Sequence, residues 1–375
     1  MALIKSGNTP QPAVPLTVPS FEDDLVGEFG TGSFKSSVST FKSESGLLSN
    51  DQIAAAVAQA REDEEIAKAD KRRQALLDGK LHAGDIAWTK PPPFDFVLPG
   101  LQAGEVGMLP APGGTGKTFL MLQLAMSIST ATPFADVWEA PRKGRVVFLT
   151  AEDTKQVLHH RLYYMKPPIE WKDDITANMD VVSLAGSIPR LLTVGKNRAA
   201  ERGDWFEDML SLATGARLLI VDPLSRFHSC DENDASQMTM LVQTFEAIAK
   251  QTGAAIIFTH HSNKGAQQHG SGATQSSARG SSALTDGVRW QMNLWKMSKE
   301  EAQEKHVPED LRWKHVGLTM AKANNIPMDT VTWLERGDGG VLKPSVFMVP
   351  NGELDFNALK SPSPMDKVLG PNKTK

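Results

Sequence analysis

Cys230 is the only cysteine among 375 residues. The chain therefore has no intramolecular disulfide, and no zinc site built from two or more thiolates. Long apolar runs are missing too. No stretch approaches the roughly 18 residues a membrane-spanning helix needs, and MALIKSGNTPQPAVPLTVPS lacks the apolar core of a secretory signal. A soluble, cytoplasmic protein without a membrane partner is the expectation. Charge of one sign is also lacking, since 40 Lys and Arg face 44 Asp and Glu for a net −4. That excludes a polybasic protein that coats nucleic acid over its whole surface, while leaving room for a locally basic channel.

What is present suffices for a large core, with 40% hydrophobic and 22% charged residues. Residues 1–48 are rich in Pro, Ser, Thr and Gly and have too few large apolar groups to offset the entropy of ordering, so they read as a disordered tail. Over 49–85 the texture predicts a helical extension or linker. Ser49 with Gln52 forms a capping-box pattern, good helix formers follow, and Gly79 ends them. The apolar stripe there is thin, which suits a linker helix or an arm that packs on a neighbouring subunit. Residues 86–350 read as one globular domain, and 351–375 as a flexible C-terminal tail.

Within the globular part, VGMLPAP, RVVFLTAED, LLIVDPLS and AAIIFTHHS are short apolar runs that alternate with amphipathic helical patterns. Such alternation predicts an α/β fold with a mostly parallel sheet and helices on both faces. After the first run comes Ala111-Pro112-Gly113-Gly114-Thr115-Gly116-Lys117-Thr118, a phosphate-binding loop between a strand and a helix. Its glycines let backbone N–H groups wrap a nucleotide's phosphates, and the helix dipole adds to that field. Lys117 is the cation for the phosphates and Thr118 the hydroxyl for Mg²⁺, so ATP and Mg²⁺ are the expected cofactors, with Pro112 through Phe119 lining the nucleotide. Ala111 stands where the common pattern has glycine.

Three further groups end the other strands. Asp222 suits an indirect hold on Mg²⁺. Glu152 suits a general base for the attacking water, and Asp153 beside it reads as a helix N-cap. One of His260 and His261 could touch the γ-phosphate; a paired-histidine metal site is the alternative. The long Gly/Ser-rich loop that follows ends at Arg279, a candidate to compensate charge on a neighbour's ATP.

DFVLPGLQAGEVG, PGGTGKT, AEDTKQVLHHRL, LSRFHSCDENDAS, THHSNKGA, SARGSSALTDGVRW, AKAN and DGGVLKP occur in that order along the chain. In these strings it resembles the small hexameric replicative helicases of broad-host-range plasmids, the IncQ-type RepA group, within the RecA/DnaB-like ATPases. The resemblance runs from about Phe94 to Pro344. It implies a RecA-like fold and a homo-oligomeric ring around single-stranded DNA, with ATP sites at the subunit interfaces. It also implies roles: Lys117 and Thr118 for phosphate and Mg²⁺, Glu152 as catalytic base, Asp222 behind the metal, His261 as γ-phosphate sensor, Arg279 as a finger into the adjacent site, and Lys322 as a second trans cation. Compact family members begin near DFVLPGL, whereas about 85 residues precede it here. That extension could dock a primase, an initiator or a host replication factor, or act as a tether.

The loops after the Asp222 and His261 strands are expected to face the DNA channel, with Arg226 and Lys264 as phosphate contacts. Asp231, Glu232 and Asp234 keep the first loop from being strongly basic, so weak, salt-sensitive, non-specific binding is expected. The leading function is an ATP-dependent DNA helicase. Its rivals are a RecA/KaiC-like ATPase that remodels or loads proteins, and a non-catalytic nucleotide-binding scaffold.

Overall fold

The computed structural model describes residues 49–136, 138–195, 200–261, 282–324 and 331–347. The chain divides into two units, Met1–Pro91 and Pro92–Lys375. In the first, helix α1 (Asn50–Asp78) starts at a complete capping box, in which Ser49 and Gln52 each accept the other's backbone N–H. It stops at Gly79, whose N–H caps the carbonyls of Ala75 and Leu77. Its described side chains are all exposed, and Lys68 pairs with Glu64 and Glu65 one turn back. Helix propensity and such i,i+4 pairs hold it, since it buries no apolar face in its own unit. A short second helix, α2 (Ala83–Ile86), follows.

The second unit is built on a nine-stranded sheet. A small ribbon, β1 (Phe96–Leu98) with β2 (Leu101–Gln102), precedes it. The sheet is formed by β3 (Val106–Ala111), β4 (Val146–Thr150), β5 (Met179–Ser183), β8 (Leu218–Asp222), β9 (Ala255–His261), β10 (Trp290–Lys296), β11 (His315–Lys322), β12 (Thr332–Arg336) and β13 (Leu342–Pro344). Their spatial order is β13-β12-β11-β10-β3-β9-β8-β4-β5. From β10 to β5 all neighbours run parallel, while β11, β12 and β13 add an antiparallel flank. Helix α3 (Lys117–Thr130) joins β3 to β4, and α4 (Lys155–Met165) and α5 (Lys172–Asn178) lead to β5. A second ribbon, β6 (Leu192–Val194) with β7 (Ala200–Arg202), and helix α6 (Trp205–Ala213) precede β8; α7 (Ala235–Thr252) joins β8 to β9.

The sheet is covered on both faces, as the RecA-like α/β expectation requires. Leu109, Phe148, Leu218, Ile220 and Ile257 pack with α3 in one apolar cluster. Their chain neighbours Met108, Val147, Leu149, Leu219, Val221, Ile256 and Phe258 pack with α6 and α7 in the other. This period of two also dictates chemistry, since successive side chains along a strand point to opposite faces. Asp222 shares the parity of Leu218 and Ile220, and Thr259 and His261 share that of Ile257. All three therefore face α3, and His260 faces the opposite layer.

Arg217 is a charged group inside this frame. Arg217, just before β8, has a side chain only 6% exposed and forks onto Asp95, with bonds of 2.9 and 3.2 Å, while also donating to the Phe96 carbonyl at 2.6 Å. The pair ties the start of β8 to the start of β1. The Arg217 guanidinium beside Asp95 holds the aspartate's pKa below its ordinary 3.8. A carboxylate with a depressed pKa contributes stability that is present above its unfolded value and lost as pH falls through the folded one. Asp95→Asn is therefore expected to destabilise the second unit by about 1–2 kcal/mol at neutral pH, a figure reduced because half of the carboxylate is in water. Denaturant melts of both proteins across pH check this, and the gap between them should close below pH 3.8.

Candidate nucleotide site

Strand β3 ends at Ala111, beside His261 at the end of β9. The chain then turns through Pro112–Gly116 into α3. Gly114 (φ 69°) and Gly116 (φ 97°) take the left-handed conformation that side chains disfavour, which turns the loop back over the start of α3. Thr115 is fully buried, and its hydroxyl closes the turn by donating to the Pro112 carbonyl at 2.6 Å.

Lys117 and Thr118 open α3 on the sheet side. The Lys117 ammonium donates to the Ala111 carbonyl at 3.2 Å and to Nδ1 of His261 at 3.1 Å. Accepting there leaves the His261 proton on Nε2. Burial lowers the Lys117 pKa, opposed by the charges of Asp222 and Glu152. Thr118 Oγ1 donates to Asp222 Oδ2 at 2.8 Å, and Thr259 Oγ1 donates to Asp222 Oδ1 at 2.5 Å. Asp222 is 4% exposed, so both oxygens of a buried carboxylate are held by hydroxyls.

The remaining candidates are distributed as follows. Glu152 is half exposed at the end of β4, and its Oε1 accepts from Nε of Arg226 at 3.3 Å. The expected base and the expected DNA contact thus form one ion pair. Asp153 does not cap α4: Thr154 does, accepting from the Val157 N–H. Both residue types suit a cap, and the extended backbone falls one position later. Asp153 instead pairs with Arg161 at 2.9 Å, and burial raises its pKa against that partner. Arg161 lies over the ring of Phe119, 5.1 Å from its centre.

In the loop after β8, Phe227 is fully buried and offers no face to a base. Burial also keeps His228 low in pKa. Asp234 is spent on the cap of α7, accepting from Ser236 and Gln237, and Asp231 accepts from Asn233 within its own turn. Lys322 donates to the carbonyls of Thr285 and Asp286 at 2.8 and 3.0 Å; burial lowers its pKa, opposed by the charge of Asp286 and aided by that of Arg289. It pairs with Gln291, which pairs with Met108, three residues below the end of β3. Lys264 and Arg279 lie outside the described residues.

Thr259, Lys296 and Arg336 carry no motif that marks them in the sequence. Arg336 Nη2 donates to the Thr115 carbonyl at 2.9 Å. The β12–β13 turn that follows it is locked onto α3, where Gln123 and Leu342 exchange two hydrogen bonds of 2.8 Å through the amide and the backbone. Gly340 in that turn has φ 82°, and a Cβ there would stand 2.7 Å from the Phe119 ring.

A family profile described as an AAA domain matches residues 70–267. The chain belongs to the AAA domain family. Among solved structures this AAA domain is similar to the ATPase domain of another protein at 14% identity, covering 64% of this chain and 84% of that one, with a TM-score of 0.44. The phosphate loop is that of a nucleotide-binding ATPase, and its donors fit Mg²⁺. Among the described residues no group of three or more His, Cys, Asp or Glu could hold a metal. Mg²⁺ suits such a place because it keeps waters and phosphate oxygens and needs few protein ligands. Thr118 would bind it directly and Asp222 would orient Thr118.

Thr259 fixes Asp222 from behind, which makes it testable without touching the loop. Thr259→Val, close in shape, should raise the Mg²⁺ concentration that half-saturates ATP hydrolysis by about tenfold, the worth of one hydrogen bond to a charge. ADP binding without Mg²⁺ should not change. An unaltered Mg²⁺ titration would mean that the aspartate is held well enough by Thr118 alone.

Proposed function

We propose that this AAA domain is an ATP-driven motor on single-stranded DNA, a replicative helicase of the IncQ RepA type working as a homo-oligomeric, hexameric ring. The observation that carries the reading is the direct contact between Lys117 and His261. It links the phosphate loop to the end of β9, from which the chain departs into residues 262–281, the stretch that holds Lys264 and Arg279.

The chemistry assigned to these residues follows from where they sit. Lys117 exchanges the Ala111 carbonyl and His261 for phosphate oxygens, a favourable trade for a desolvated ammonium. Released from the ammonium, His261 reports γ-phosphate to the segment that follows it. Thr118 would hold Mg²⁺, which when bound would supply positive charge to the phosphates. Glu152 takes the proton of the attacking water once it lets go of Arg226. Arg279 supplies a neighbour's site. Lys322 also serves a neighbour, since its strand level lies below its own loop. The 49–85 extension, preceded by the tail at 1–48, is the surface for a primase, an initiator or a host factor.

DNA and ATP meet at the Glu152–Arg226 pair. An exposed ion pair of this kind is worth about 1 kcal/mol or less, so a DNA phosphate can take Arg226 from it. The buried Phe227 and the acids committed to turns favour a second reading, a RecA/KaiC-like ATPase that remodels or loads proteins.

The deciding experiment is steady-state ATP hydrolysis with and without single-stranded DNA, with Lys117→Ala as blank. Stimulation that weakens with salt supports the motor, and turnover indifferent to DNA selects the second reading. Arg226→Ala should lose the stimulation while raising DNA-free turnover a few-fold, because Glu152 is then unrestrained. DNA-free turnover equal to wild type would show that the pair does not restrain the base. Mixing Arg279→Ala chains with Lys117→Ala chains should restore part of the activity, as expected of sites shared between subunits. No recovery in proven mixed rings would place Arg279 outside the neighbour's site.

A further inference from the structure

Two cations of the outer strands stand at the phosphate loop. Lys296 ends β10, which runs parallel to β3 and passes beyond it, and its Nζ lies 3.6 Å from where a Cβ on Gly114 would be. Arg336 ends β12, and its Nη2 lies 3.4 Å from where a Cβ on Gly116 would be while donating to the Thr115 carbonyl. Neither forms an ion pair among the described residues. Lys296 is exposed and Arg336 half-buried. Chain topology brings both strand ends to this edge: β10 and β12 run toward the edge where β3 ends, whereas β11 runs the other way.

We propose that Lys296 and Arg336 are cis cations for the nucleotide's phosphate tail, holding it from the chain's own antiparallel flank before any neighbour contributes. The inference rests on the nucleotide-binding reading above. Two positive charges without carboxylate partners among the described residues, 3.6 and 3.4 Å from where a Cβ on Gly114 and on Gly116 would stand, raise the local potential for a polyanion. Arg336 adds a second effect. Its grip on the Thr115 carbonyl orients the peptide that leads into Gly116, so it is a positioning residue as well as a charge. The doubly bonded Gln123–Leu342 link keeps the guanidinium at that height.

The test is equilibrium binding of fluorescent ADP and of a non-hydrolysable ATP analogue to the full chain with Mg²⁺, over a salt series. Arg336→Gln keeps a donor for the Thr115 carbonyl and removes the charge; Lys296→Gln removes a charge that forms no ion pair with a described side chain. Each should weaken binding about tenfold and both together about a hundredfold. The dependence of log Kd on log salt should flatten in step, since fewer charges are screened. Arg336→Lys, which keeps the charge, should stay within about threefold of wild type.

Wild-type affinity in both glutamine variants would overturn the proposal. So would weakened binding with an unchanged salt slope, or an Arg336→Lys variant no better than Arg336→Gln, since either would reduce Arg336 to a support of loop shape. The outcomes separate from the underlying reading. A wild-type chain that binds neither nucleotide, or a Lys117→Ala chain that binds both normally, would sink that reading first. Binding lost in Lys117→Ala but kept in the glutamine variants sinks only this inference.

Discussion

The carboxylate of Asp222 is the constraint on which the site depends. It is buried at the end of β8, and its two oxygens are occupied by hydroxyls from α3 and β9. Burying an anion with only neutral donors is costly, so each hydroxyl must stay where it is. That requirement fixes the start of α3 against two strands at once. The same residues that satisfy the aspartate thereby fix the height at which Lys117 emerges. Lys117 is itself desolvated, and its nearest partners are a carbonyl and an imidazole. A desolvated ammonium above a buried anion is an arrangement that gains from a ligand carrying both phosphate and a divalent cation.

Much of this was legible in the sequence because the parallel half of the fold is written in local signals. Each of the apolar runs ending in Ala111, Thr150, Asp222 and His261 became a strand, and two of the three glycines between β3 and α3, Gly114 and Gly116, fell at the left-handed positions such a turn needs. Period-two parity then carries Asp222 and His261 to one face without further information. The antiparallel flank was less readable. Strand β12 reads TWLER and β13 is three residues long, so neither shows a run or an alternation that stands out from a loop.

The missed site residues failed for a related reason. Thr259 inside an apolar strand looks like an ordinary strand former, and only its neighbour β8 reveals that its hydroxyl meets a carboxylate. Arg336 touches the loop across 221 positions of sequence, a contact that only the strand order creates. The cap of α4 was misplaced by a single residue because Asp153 and Thr154 are both good capping types. What separates them is backbone conformation and the pull of Arg161 on Asp153.

The lock between Gln123 and Leu342 has a consequence for how the domain can work as a machine. With Arg336 gripping the loop and Gly340 seated against Phe119, the side of the nucleotide cleft built by β12 and β13 behaves as one stiff body with α3. At the end of β4, among the described residues, the solvent-exposed pair of Glu152 and Arg226 is the contact that spans the site. The described bracing is therefore unequal: backbone and amide bonds tie β13 to α3 and Arg336 to the loop, whereas a single exposed ion pair joins Glu152 to Arg226.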